Sequence, residues 1–279
     1  MGYKSILTVI TREGAVHGSL DAAIAVARRE DAHLDILCLG IDRTQTGYYY
    51  AGASAVILQE TLDRATKDAE ALGEVVKAKM QGEEVIWACE SAVAQIAGVT
   101  RLVSDRARFA DIVVLPRPYG EDCGVEDEAI LEAALFEGDA PVLMVPESGL
   151  PKDLGQRVVV AWNESAEALA AVRKSMPVLA KADLVDIAII DPPQHGPDRS
   201  DPGGRLSQMI SRHGVRAEVS VLAKTMTRVS DVLRRHALDR NADMIVMGAY
   251  GHSRFREAIL GGATRNMLES CELPILLAH

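Results

Sequence analysis

Asn241-Ala-Asp-Met-Ile-Val-Met247 runs straight into Gly248-Ala-Tyr-Gly251-His-Ser-Arg-Phe-Arg-Glu-Ala-Ile-Leu-Gly261-Gly262-Ala263-Thr264, and a helical stretch follows through Glu269. A short apolar run, a glycine-bearing loop and a helix, in that order, are the repeating parts of an α/β fold. The same run stands about half a chain earlier as Phe109-Ala-Asp-Ile-Val-Val-Leu115. Its closing partner is doubled too, as Ala140-Pro-Val-Leu-Met-Val145 and Leu273-Pro-Ile-Leu-Leu-Ala278. A period of about half the chain means one supersecondary unit used twice.

Working outward, each copy opens in the same way. Tyr3–Ile10, Ser19–Arg29 and Leu34–Ile41 read as strand, helix and strand; Arg157–Trp162, Glu164–Leu179 and Leu184–Ile190 repeat that order. Further helix-period segments cover Glu60–Lys79, Val93–Arg106 and Val229–Arg240. Pro146 to Gly155 has linker composition. The expected fold is therefore α/β, with Rossmann-like domains at residues 1–147 and 156–279. Each is expected to hold a five-stranded parallel sheet with helices on both faces. Ligands of such sheets bind beyond the carboxyl ends of the strands, so the residues just after each strand are the ones to inspect.

Composition agrees and excludes much. Of the 279 residues, 48% are hydrophobic but only 4% aromatic, the aliphatic core of a covered parallel sheet. No apolar run approaches the roughly 20 residues a membrane span needs, and residues 1–10 read as a first strand, so the expectation is a cytoplasmic protein with no membrane partner. Net charge is −10, with 13 Lys and Arg against 25 Asp and Glu in residues 1–150, and 17 against 15 afterwards. An acidic chain is a poor nucleic-acid binder, and the second half is the more hospitable to an anion. Cys38, Cys89, Cys123 and Cys271 lie far apart in sequence and read as free thiols, and the histidines show no ligand spacing, so neither a disulfide framework nor a metal site is expected.

The chemistry sits in the glycine loop. Gly248 and Gly251 can fold a tight turn at the end of a strand, and Gly261 and Gly262 open a helix through Ala263 and Thr264. A helix N-terminus offers free N–H groups and the positive end of the dipole, a ready seat for phosphate. The Thr264 hydroxyl can donate further; His252, Ser253, Arg254 and Arg256 lie within the loop. No lysine follows the glycines, so this is not a P-loop, and no G-x-G-x-x-G follows a first strand.

Gly248-x2-Gly251-x9-Gly261, with Thr264 beyond, resembles the nucleotide signature of universal stress proteins. Arg157–Ser165 also resembles that family's first strand and the turn after it. The resemblance spans the chain as two tandem domains. It implies an adenine nucleotide, ATP or else ADP or AMP, with its base against Ala161, Asn163, Ile189 and Met247. The phosphates would lie on Gly248, Gly251, Gly261, Gly262, Ala263 and Thr264, and the nucleotide can bring Mg²⁺ with it. The role implied is a stress-response regulator or sensor, with at most slow ATP hydrolysis and no catalytic residue assigned. The resemblance also implies that closing strands such as Leu273–Ala278 pair the domains with each other, inside one chain or in a homodimer.

There are three departures from the pattern. Gly262 stands where the family has Ser or Thr, Asn163 replaces a carboxylate, and Pro116-Arg-Pro-Tyr119 replaces Gly248-Ala-Tyr-Gly251 in the first copy. Proline has no N–H for a phosphate, and residues 126–132 are acidic, so the first domain is expected not to bind nucleotide. An interaction module with a relic glycine loop is the alternative; a nucleotide-using hydrolase is the third reading, and it lacks its motifs. Ser165 reads as a helix-start residue, the loop from Asp191 to Gly204 as a connection or a lid, and Tyr48 to Tyr50 as a cover or a contact.

Overall fold

The computed structural model describes residues 2–43, 55–121, 123–192, 201–250 and 262–279. Two compact units emerge. The N-terminal unit comprises Tyr3–Pro116 and Glu121–Ala140; the C-terminal unit comprises Arg117–Gly120 and Pro141–His279.

In the N-terminal unit the order is β1 (Ser5–Ile10), α1 (Ser19–Glu30), β2 (His33–Asp42), α2 (Ala55–Met80), β3 (Ile86–Gln95), α3 (Val99–Ala107), β4 (Ile112–Pro116) and α4 (Val125–Glu132). Its strands lie parallel in the order β3-β2-β1-β4. Val9, Ile10, Leu34, Ile36, Leu39 and Val113 are buried in its core. The helix-period reading of Val93–Arg106 is corrected at its start. Residues through Gln95 pair with β2 as far as Asp42↔Gln95, so α3 begins only at Val99. β3 alternates between exposed and half-buried positions and lacks the continuous apolar run of a central strand.

The C-terminal unit holds β5 (Val142–Val145), β6 (Arg157–Ala161), α5 (Ala166–Leu179), β7 (Leu184–Ile190), α6 (Gly204–Ser211), β8 (Ala217–Leu222), α7 (Val229–Asp239), β9 (Met244–Gly248), α8 (Ala263–Ser270) and β10 (Ile275–Ala278). Its strand order is β5-β10-β9-β6-β7-β8. The pairs β10–β9, β9–β6, β6–β7 and β7–β8 are parallel. The closing strand of the first repeat belongs by its contacts to this unit: β5 runs antiparallel to β10, with Ile275↔Met144 and Leu277↔Val142 in register. The doubled closing sequences therefore pair with each other inside the chain.

The doubled Ala-Asp before β4 and β9 has a structural cause. Asp111 accepts hydrogen bonds from the N–H groups of Lys4 (2.7 Å) and Ser5 (3.0 Å). Asp243 does the same for Gly155 (2.6 Å), Gln156 (2.9 Å) and Arg157 (2.8 Å). In both units one carboxylate satisfies the main-chain donors at the start of the first strand, which would otherwise lack partners. Asp243 is held above the ordinary carboxylate range because its burial outweighs those three hydrogen bonds.

Cys38 and Cys89, far apart in sequence, sit on neighbouring strands with their sulfurs 3.7 Å apart. None of Cys38, Cys89, Cys123 and Cys271 is in a disulfide. The contact with Cys89 and then burial push the Cys38 thiol up. Among the described residues no helix is long and apolar enough to cross a membrane.

Candidate functional site

In the C-terminal unit, β9, β6 and β7 end side by side, and their carboxyl ends form the floor of a cavity of about 480 Å³. That volume is ordinary for a small-molecule site. Ala161, Trp162 and Asn163 come from the end of β6, Ala188 and Ile190 from β7, and Met247 and Gly248 from β9. The starts of α5, α7 and α8 supply the remaining wall: Ser165 and Glu167 from α5, Val229, Ser230 and Leu233 from α7, and Gly262, Ala263, Thr264 and Met267 from α8. The lining is mostly aliphatic, with polar groups gathered at helix starts.

Of the thirteen residues the sequence singles out, the structure brings seven to this cavity: Ala161, Asn163, Met247, Gly248, Gly262, Ala263 and Thr264. Ile189 lies elsewhere. Side chains alternate along a strand, so its neighbours Ala188 and Ile190 face the cavity. Ile189 is buried on the side of Gly203, where an added Cβ would come within 2.8 Å of its Cδ1. Gly251, His252, Ser253, Arg254 and Gly261 lie outside the described residues, as do Tyr48 to Tyr50 and residues 193–200 of the connection after β7.

Each described residue has a definite local task. Gly248 allows a close approach: a Cβ there would fall 2.5 Å from the Ala168 nitrogen and 2.7 Å from the Glu167 carbonyl carbon, so its missing side chain lets α5 seat on β9. Thr264 is buried, and its Oγ1 accepts from the Tyr250 N–H at 3.1 Å, tying the end of β9 to the start of α8. A hydroxyl that accepts can still donate. Asn163 Oδ1 accepts from the Ser165 N–H at 3.2 Å, which leaves the amide NH₂ as its outward group. An aspartate in that place would offer only acceptors. Ser165 is the N-cap of α5 and accepts from the Ala168 N–H at 3.1 Å.

α8 starts open. Gly262 is its N-cap and makes no side-chain cap, and its first turn holds no acid. Its first amides therefore have neither carbonyl nor carboxylate from their own helix. The backbone around the cavity is also unusual. Glu164, Asp191 and Tyr250, just beyond β6, β7 and β9, adopt φ of 64°, 50° and 54°. Left-handed non-glycine residues cost free energy and concentrate where a site demands a particular chain direction.

The first turn of α7 was not legible from strand ends alone. β8, which precedes it, is half exposed and lacks an apolar run. The signal that finds it is the apolar pair Val229 and Leu233 at helical spacing, next to a switch in strand order.

The universal stress protein family model matches residues 155–279. The chain carries a universal stress protein domain. A universal stress protein from Synechocystis is 27% identical over 129 residues, which cover 43% of this chain and 41% of that relative. The match thus spans less than half of the relative's length. Among solved structures, a universal stress protein from Archaeoglobus fulgidus superposes with a TM-score of 0.69 at 12% identity, covering 98% of this chain and 97% of its own. A candidate universal stress protein from Pseudomonas aeruginosa gives 0.59 at 14% identity, covering 99% and 93%. At these identities the structural likeness concerns the fold, and it extends beyond the universal stress protein domain to the whole chain.

Proposed function

We propose that the universal stress protein domain binds ATP or a related adenine nucleotide in the cavity between β6, β7, β9, α7 and α8, and that the chain serves as a nucleotide-responsive stress regulator. The observation that carries the reading is the open N-terminus of α8, set against an aliphatic cavity of nucleotide size. The amides of Ala263 and Thr264 and the Thr264 O–H receive phosphate oxygens. The aliphatic floor of Ala161, Ala188, Ile190 and Met247 covers the base, and the Asn163 amide donates to the nucleoside. Binding is the whole of the proposal; no residue is assigned to bond cleavage.

Calorimetric titration of the wild type with ATP, ADP and AMP tests it. Measurable heats at micromolar to millimolar ligand are expected. No binding of any of the three at millimolar concentration ends the reading.

A further inference from the structure

Among the described residues that line the cavity, one fully buried side-chain oxygen has no partner. Ser230 is 1% exposed, lines the cavity from the first turn of α7, and its Oγ makes no hydrogen bond. Its neighbours along the same wall, Val229 and Leu233, are apolar, and so are Ala188 and Ile190 on the floor. A buried hydroxyl left unsatisfied costs on the order of 1–3 kcal/mol. The first N–H groups of α7 are likewise free of intrahelical carbonyls.

The topology says which end of a nucleotide would meet this atom. The start of α8 is tied to the end of β9 by the Tyr250 N–H to Thr264 Oγ1 bond, while α7 packs on β7 as well as against α8. The strand order β9-β6-β7 separates those two by two strand spacings, roughly 10 Å. A nucleotide with its phosphates at α8 therefore extends across β6 and brings its nucleoside end to β7 and α7.

We propose that Ser230 is a specificity-determining residue whose hydroxyl hydrogen-bonds the edge of the bound purine base. The inference rests on the nucleotide reading above and adds the atom that reads the base. No protein group among the described residues meets the hydroxyl, and the base supplies a partner. A site with a buried polar group waiting for a partner discriminates strongly against ligands that lack it.

Wild type and Ser230→Ala are titrated with ATP, with inorganic tripolyphosphate, with purine riboside triphosphate, which lacks the 6-amino group, and with 1-, 3- and 7-deaza-ATP. Ser230→Ala should bind ATP three- to tenfold more weakly and tripolyphosphate unchanged, since one neutral hydrogen bond is lost. One of the base analogues should lose a similar factor against wild type and none against Ser230→Ala. The thermal midpoint of the unliganded variant should stay level or rise, because an unsatisfied buried group is gone; a residue that merely supports the helix would lower it.

Equal ATP affinity in wild type and variant overturns the inference. So does a parallel loss of ATP and tripolyphosphate, or a set of base analogues that all lose the same factor in both proteins. Absence of ATP binding by the wild type overturns the nucleotide reading and this inference with it. Wild-type binding with an indifferent variant overturns this inference alone.

Discussion

The same corner of the fold carries acids in one unit and, among the described residues, none in the other. Both α4 and α8 follow the fourth strand of their repeat. α4 carries Glu126, Asp127 and Glu128 in its first turn, while α8 carries no acid there. Asp127 accepts from the Gly124 N–H at 2.8 Å and pairs with Arg12 at 2.8 and 2.9 Å. Glu126 pairs with Arg43. The carboxylates of Glu126 and Asp127 are each only 6% exposed. The N-terminal unit thus places its own anions where a helix start attracts phosphate, and supplies two guanidinium groups to hold them. The comparison teaches that the same helix start can be filled by the chain's own carboxylates or carry none in its first turn.

The segment that replaced the glycines has been reused as well. Arg117 pairs with Glu147 at 2.5 Å and reaches the Glu269 carbonyl near the end of α8 at 3.5 Å. The Arg265 guanidinium lies 5.1 Å from the centre of the Tyr119 ring. A cation at the last turn of α8 suits its dipole, so residues of the first repeat brace the helix whose other end is left open.

The comparison breaks most sharply by transplanting the acids. Ala263→Glu with Thr264→Asp gives α8 an acidic first turn like that of α4. ATP affinity should fall roughly a hundredfold or more, since two unit charges about 4 Å apart repel by about 4 kcal/mol near a protein surface. Calorimetry measures the loss, and unchanged affinity would remove α8 from the site. Next in size is Arg12→Ala, which leaves the buried Asp127 carboxylate without its cation. We expect a loss of about 2 kcal/mol by urea unfolding, in the range for a charged hydrogen bond. Asp127→Asn in the same chain should recover part of that loss by removing the unpaired charge.

A smaller effect separates the units by pH. Burial alone would raise Glu126, but Arg43, its own main-chain N–H and the charge of Arg12 outweigh it and hold it below 4.5; Arg106 does the same for Glu90. A depressed carboxylate stabilises above its unfolded value and loses that contribution as pH falls through the folded one. Asp243 is held above 3.8, so its contribution has the opposite sign: it is present in acid and fades as pH rises through its folded value. Urea unfolding between pH 3 and 7 should show acid loss in the wild type that shallows in Glu126→Gln and steepens in Asp243→Asn. Ser165→Ala comes last. Loss of the α5 cap should cost about 1 kcal/mol, with at most a several-fold loss of ATP affinity, since Ser165 borders the cavity while its Oγ is engaged by the Ala168 N–H.

The sequence by itself determined the two-fold repeat and the parallel α/β class, and it pointed to the stretch whose two ends border the cavity. These are written in local patterns: apolar runs of strand length, helix-period segments between them, and glycines where strand meets helix. What it could not specify were facts of side and neighbour. Ile189 against Ile190 is a question of strand parity, settled by which face of β7 the helices cover. Ser230 reaches the cavity only because α7 crosses β7, and the half-exposed β8 before it left no apolar signal. Gly248 reads as a phosphate glycine, and only the structure shows that it is also the gap into which α5 fits. The membership of β5 in the C-terminal unit follows from antiparallel pairing with β10, a partner more than 120 residues away. Local chemistry is legible along the chain, but which surfaces meet is decided by packing between segments distant in sequence, and only the tertiary structure shows that.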